Sequence, residues 1–214
     1  MDDASALAVL QAIRLGAVLD EDWLATRLGL ARGELAPRLE RAVGQGWIRR
    51  HEPGADLPHG PRGWTLTADG RARLAVLLSD EVDRSGARST FDALMPRFAP
   101  LNAAFLQLCT DWQVRSLPSG GSEPNDHRDR RYDRRVVARL ESIHAGIVVI
   151  AGEAADALGR FGTYAPRFDH AITRVLAGEH DWFTRPLVDS YHTIWFEFHE
   201  DLLATTGRTR ATPP

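Results

Sequence analysis

Between Asp181 and Leu202 the sequence reads DWFTRPLVDSYHTIWFEFHEDL, which sets His192 and His199 among five acids and six aromatic residues. Residue types of this kind can hold a metal, relay protons or line a ligand pocket. Their spacing decides among these. On a helix the two histidines lie seven residues apart, a rise of about 10.5 Å, and a single zinc with bonds of about 2.1 Å does not span that distance. The His-Glu-x-x-His arrangement of zinc hydrolases is absent. Asp189 precedes His192 by three residues and can share its face, where it would orient the ring and raise its basicity. Ser190 and Thr193 sit in no recognisable nucleophile elbow. His192 and His199 therefore read first as core or interface histidines, with a ligand pocket, and then a metal or catalytic role, as the alternatives.

A second set of groups flanks the same region. Asp111, Trp112 and Arg115 end one expected helix, and Trp182 and Arg185 begin another. Together with Asp189, His192, Trp195 and His199 they would form an aromatic cleft with cationic ends, suited to a planar or carboxylated small molecule. The stretch Asn125-Asp126-His127-Arg128-Asp129 is acid-rich, but arginines at 128, 130, 131, 134 and 135 interleave, which reads as solvated ion pairing. His144, beside Leu140, Ile143 and Ile147, reads as a residue at a packing boundary. Phosphate-cradling glycine loops are absent, and no cofactor or metal is expected.

These residues need elements to position them. The chain has 214 residues, 43% of them hydrophobic, which is enough for a proper core and argues against disorder. No apolar run is long enough for a membrane span and the first residues lack a basic leader, so a cytoplasmic protein without a membrane partner is expected. The single cysteine, Cys109, excludes an internal disulfide and reads as a free buried thiol. All 26 basic residues are arginine and the net charge is −3, so any attraction to nucleic acid must be local.

Apolar periodicity predicts helices over 4–14, from Asp20 as cap with Trp23, Leu24 and Leu28 buried, and over 33–44 with Leu35, Leu39 and Val43 facing inward. Short strands follow at 47–51 and 63–67, separated by the turn-rich segment 53–62, and then a helix from 68 to about 83 capped by Thr67. That order belongs to a winged helix-turn-helix, in which the third helix enters the DNA major groove and the wing touches the backbone. The exposed residues suited to that work are Arg32, Glu34, Arg38 and Arg41 on the third helix, with Arg49, Arg50, His51, His59 and Arg62 on the wing. Six arginines against four acids within 31–63 leave a surplus of two, a thin electrostatic footprint. Pro37 requires that helix to start near Gly33 or Glu34.

Residues 84–214 read as helical: 90–97 and 100–115 interrupted at Pro96 and Pro100, then 131–158, 166–177 and 184–204, with a loop between the second and third. The last helix, capped by Thr184 with Pro186 in its first turn, carries an apolar arc through Leu187, Val188, Tyr191, Ile194, Trp195, Phe198 and Leu202. His199, His192, Leu203 and Phe196 widen the arc to about 200°, and Asp189, Glu200, Thr193, Glu197, Ser190 and Asp201 fill the rest. Such an arc predicts a helix enclosed on two sides. The fold class expected is mainly α: an N-terminal winged helix-turn-helix with a small β-wing over 1–83, then a C-terminal α-helical bundle over 84–214.

The stretches LATRLGLARGELAPRLERAVGQGWIRR and GWTLTADGRARLAVLL, covering about residues 4–83, resemble the DNA-binding core of MarR-type regulators. The second half is similar to a helical region attached to such winged helices in actinobacterial proteins. The layout, with the winged helix first, is closer to GntR-type regulators, but the Asp-x3-His pair of their metal-holding helical domain is absent. The resemblance implies a transcriptional regulator, not an enzyme, that binds double-stranded DNA as a homodimer and whose helical domain senses a small-molecule effector. The alternatives are a winged-helix accessory module of a metabolic, phosphoenolpyruvate-utilising enzyme and an enzyme with a histidine-acid site in the bundle.

Overall fold

The structure, a computed structural model, describes residues 1–16, 18–53, 60, 62–116, 120–186 and 188–208. It is mainly helical, with two small antiparallel sheets among the described residues, and divides into two compact units. Unit 1 holds Met1–Arg84 and the residues from Leu203 on; unit 2 holds Ser85–Leu202. The chain's last residues thus group with its first, where the sequence assigned them to the helical half.

Unit 1 runs α1 (Asp3–Gly16), α2 (Glu21–Leu28), α3 (Arg32–Gly44), β1 (Ile48–His51), β2 (Gly63–Leu66) and α4 (Ala68–Ser85). Its core is Leu7, Leu10 and Ile13 of α1, Leu24, Leu35 and Leu39, the strand residues Ile48 and Leu66, and Leu74 and Leu77 of α4; Ala204 packs against it. Asp20 caps α2 by accepting from the Trp23 amide at 2.8 Å, and Gly29, at φ 62°, closes it. Two inward assignments are corrected. Trp23 is exposed, with Arg27 over its ring, and α2 packs through Leu24 and Ala25 instead. On α3 it is Ala42, not Val43, that is buried. At about 100° per residue, Ala42 lies about 20° from Leu35 and Val43 about 80° away. The helix begins at Arg32, ahead of the expected start, and continues through Pro37.

The strands pair antiparallel from Ile48↔Leu66 to His51↔Gly63, and Leu19 adds a single bridge to Trp64. Two glycines permit backbone contacts that any Cβ would block. A Cβ on Gly63 would lie 2.2 Å from the Leu19 carbonyl oxygen, and one on Gly70 1.9 Å from the Trp47 carbonyl oxygen. The latter contact seats α4, whose first turn Thr67 caps by accepting from the Gly70 amide while donating to the Gly46 carbonyl.

Unit 2 consists of α5 (Arg88–Gln113), the hairpin β3 (Val114–Ser116) and β4 (Ser122–Pro124), α6 (Arg130–Ala157), a 3-10 turn (Gly159–Thr163), α7 (Tyr164–Leu176), α8 (Asp181–Thr184) and most of α9 (Tyr191–Thr205). The expected break at Pro96 and Pro100 does not occur. Each proline costs a helix interior about 3 kcal/mol, yet α5 is continuous because Phe91, Leu94, Phe98, Phe105, Leu108 and Trp112 are all buried along it. The hairpin stands where a loop was expected.

The final helix is shorter than expected. Arg185 precedes Pro186 and is held extended at ψ 128°, as steric contact with a following proline ring demands, so α8 ends at Thr184. The helix resumes at Tyr191, with the Ser190 hydroxyl accepting from the Thr193 amide at 3.3 Å. Leu187, expected on its arc, lies outside the described residues. Tyr191, Ile194, Trp195, Phe198 and Leu202 are buried as the arc requires, but so are Ser190, Glu197 and Asp201 from the side expected to be polar, while Phe196 is exposed.

Two measurements check this packing. Gly70→Ala is expected to lower unfolding stability by about 2 kcal/mol or more, whereas Gly152→Ala, where a Cβ meets nothing within 4 Å in the middle of α6, raises it by about 0.5–1 kcal/mol; urea titration reads both. Burial raises the Cys109 thiol from 9.0 to about 12. Ellman's reagent at pH 8 is therefore expected to react with Cys109 only after denaturation, and stability from this group falls as pH rises from 9.0 toward 12, where the unfolded thiol ionises and the folded one does not.

Candidate functional site

The residues expected to line one cleft occupy separate surroundings. On α9, His192 stacks on Phe105 with ring centroids 6.2 Å apart, Trp195 stacks on the same ring at 4.2 Å, and His199 meets Phe98 at 5.0 Å. The Trp195 indole N–H donates to Asn102 at 2.9 Å. This is an aromatic seam between α5 and α9. Asp189, expected to orient His192, instead takes two hydrogen bonds from the Arg167 guanidinium. Burial works against the Arg167 charge, but Asp189 and Glu197 outweigh it and raise its pKa above the ordinary arginine value.

At the far end of α5, Asp111 accepts from Arg139 and from Gln107, and Arg115 pairs with Asp129 at 3.3 Å and lies over the Tyr132 ring. Trp182 packs edge-on to His170 with Arg174 over its face, and Arg185 pairs with Asp181. Each of these residues is engaged by a local ion pair, hydrogen bond or ring contact.

A histidine-acid chain does exist, through His144, expected at a packing boundary, and Tyr191, expected on the apolar arc. His144 Nε2 lies 3.1 Å from Asp169, and its Nδ1 lies 3.2 Å from the Tyr191 hydroxyl. Burial lowers the His144 pKa against the opposing pull of Asp169. Burial, with the Asp169 charge adding to it, raises that of Tyr191. The chain links α9 to α6 and α7.

The group with the densest donor chemistry is built around Trp112. The buried Asn125 side-chain amide donates to the Trp112 carbonyl, 3.0 Å, and to Asp133 Oδ1, 2.9 Å, and its nitrogen also lies 3.2 Å from His127 Nδ1, while its own carbonyl accepts from the His127 amide. His127 has φ 57°, the one positive value at a non-glycine position among the described residues. Its Nδ1 faces both Asp133 oxygens at 3.3 Å. The Trp112 ring packs against His127 at 4.4 Å and edge-on to His180 at 5.1 Å. The donor atoms of His127, Asp133 and His180 all lie within 4.8 Å of one another, with Asp133 buried, His127 half-buried and His180 exposed. The stretch 125–129, expected to be solvated, is only partly so. Asp126–Arg128 fits that description, but Asn125 and Asp133 are buried. The signal that could have found the site is a buried Asp one turn into α6 with a histidine six residues before it.

On unit 1, several expected DNA contacts are otherwise engaged. The Glu34 carboxylate accepts from the Ala31 amide at the start of α3, and Arg32 pairs with Asp22. Arg50 lies over Trp64 and pairs with Glu52, which also meets Arg62 at 3.8 Å. His51 ends β1, and His59 lies outside the described residues. Arg38, half-buried, and Arg41 and Arg49, both exposed, make no ion pair among the described residues.

Comparison with protein-family models, with curated proteins and with solved structures finds no match to this chain. No helix among the described residues is long and apolar enough to cross a membrane.

The α9 ion pairs give a measurable expectation. Asp201 meets Arg160 and accepts from the Tyr164 hydroxyl at 3.0 Å, with Arg160 and Asp201 side chains 16% and 4% exposed. Asp201→Ala removes a carboxylate partner from a buried guanidinium and is expected to cost about 3–5 kcal/mol in urea unfolding. A loss under about 1 kcal/mol would mark the pair as an ordinary surface contact.

Proposed function

We propose that the chain is a DNA-binding transcriptional regulator. In this reading residues 3–85 form a winged helix-turn-helix, with α2 and α3 as the helix pair and β1 and β2, edged by Leu19, as the wing. Unit 2 supplies dimerisation and senses a small-molecule effector. The observation that carries the reading is that three of the expected DNA-contact arginines make no ion pair among the described residues: Arg38 and Arg41, three residues apart on one side of α3, and Arg49 on β1. A guanidinium with no internal partner is available for a guanine edge or a phosphate. Arg32, Arg50 and Arg62, by contrast, are held by acids and contribute less. Three free arginines suit a modest phosphate footprint per chain, which two copies on half-sites about 34 Å apart would double.

The test is selection of genomic fragments by the purified chain, followed by titration against the recovered site. Arg38→Ala and Arg41→Ala are each expected to weaken binding about tenfold or more, and loss of a phosphate contact to reduce the salt slope by about one. Helical circular dichroism should be unchanged. No fragment retained at low salt, or equal retention by the double variant, would sink the reading.

A further inference from the structure

We infer that His127, Asp133 and His180 form a mononuclear site for a divalent transition metal. The inference is independent of DNA binding, since it rests wholly on unit 2. Two imidazole nitrogens and one carboxylate are a donor set for zinc, cobalt, nickel or ferrous iron rather than for calcium or magnesium, which take oxygen ligands. The donor atoms lie within 4.8 Å of one another. In a tetrahedral zinc site with bonds of about 2.1 Å, donors stand about 3.4 Å apart. The His127 Nδ1 to Asp133 distance of 3.3 Å already meets that spacing. The remaining contraction falls on His180, which is exposed and held edge-on to Trp112 on one side.

The surroundings favour a cation at this point. Asn125 Nδ2, which donates to the Trp112 carbonyl and Asp133 Oδ1, also lies 3.2 Å from His127 Nδ1. His127 Nδ1 also faces both Asp133 oxygens at 3.3 Å, so the imidazole and the carboxylate converge on one point. Asn125 also supplies the outer hydrogen bond that orients ligating carboxylates. The His127 backbone in the left-handed region is an energetic cost of order 1 kcal/mol, the kind retained where a side chain has to be aimed. Three protein donors with an exposed histidine at the rim leave at least one coordination position for water or a small anion, as in open rather than structural zinc sites.

The experiment is titration of the untagged, chelator-treated full chain with Co²⁺ and Zn²⁺, followed by calorimetry and by visible absorption. One metal per chain with a Kd below about 10 μM is expected, with cobalt bands that shift on adding azide at the open position. His180→Ala leaves the fold intact, because the residue is exposed, and is expected to weaken binding at least tenfold. His127→Ala should do the same, and Asp133→Asn provides the carboxylate test with thermal unfolding as its control. Binding weaker than about 100 μM, or unchanged affinity in His180→Ala, overturns the site and leaves a His127–Asp133 side-chain contact. Cobalt bands indifferent to azide overturn the open position.

Discussion

A helix packed on most sides has little solvent face on which to put its charges, and α9 is such a helix. Tyr191, Ile194, Trp195, Phe198 and Leu202 fill one side, and Glu197 and Asp201 are buried on the other. Burying a carboxylate is tolerable only when a partner is brought in with it. That condition fixes Arg160 just after α6 and Arg167 on α7, each aimed at α9, and Tyr164 as a second donor. The aromatic seam from α5 closes the remaining face. The arrangement of unit 2 thus follows from one helix whose polar residues each needed a specific companion.

Much of this was legible in the sequence. Asp20 and Thr67 are short oxygen-bearing residues at the starts of apolar periods, and both cap as their chemistry dictates. The buried face of α9 followed from its spacing. What stayed hidden was whatever depended on partners far along the chain. Pro96 and Pro100 break a helix on local grounds, but α5 is held by residues as distant as Phe161 and Trp195. Glu197 and Asp201 look solvated until Arg160 and Arg167 are placed. Val43 and Ala42 differ by one residue, and apolar character alone favoured the wrong one.

The donor cluster around Trp112 was illegible for the same reason. His127, Asp133 and His180 come from the approach to α6, its first turn and the link between α7 and α8, and arginines crowd the first of these segments. Charge density suggested a wet loop. The deciding residue is Asn125, an uncharged amide whose burial between Trp112 and Asp133 pulls the segment inward.

The left-handed backbone at His127 has a consequence for which sequences could occupy that position. Among L-residues with side chains, asparagine, aspartate and histidine enter that region most readily, while β-branched and bulky residues are excluded. The tolerated set is nearly the set of side chains able to offer a lone pair to the same spot. Random substitution at 127 is therefore filtered by the main chain before any ligand exerts a demand, so a donor at this position can persist through drift, and donor identity can change without the loop being rebuilt.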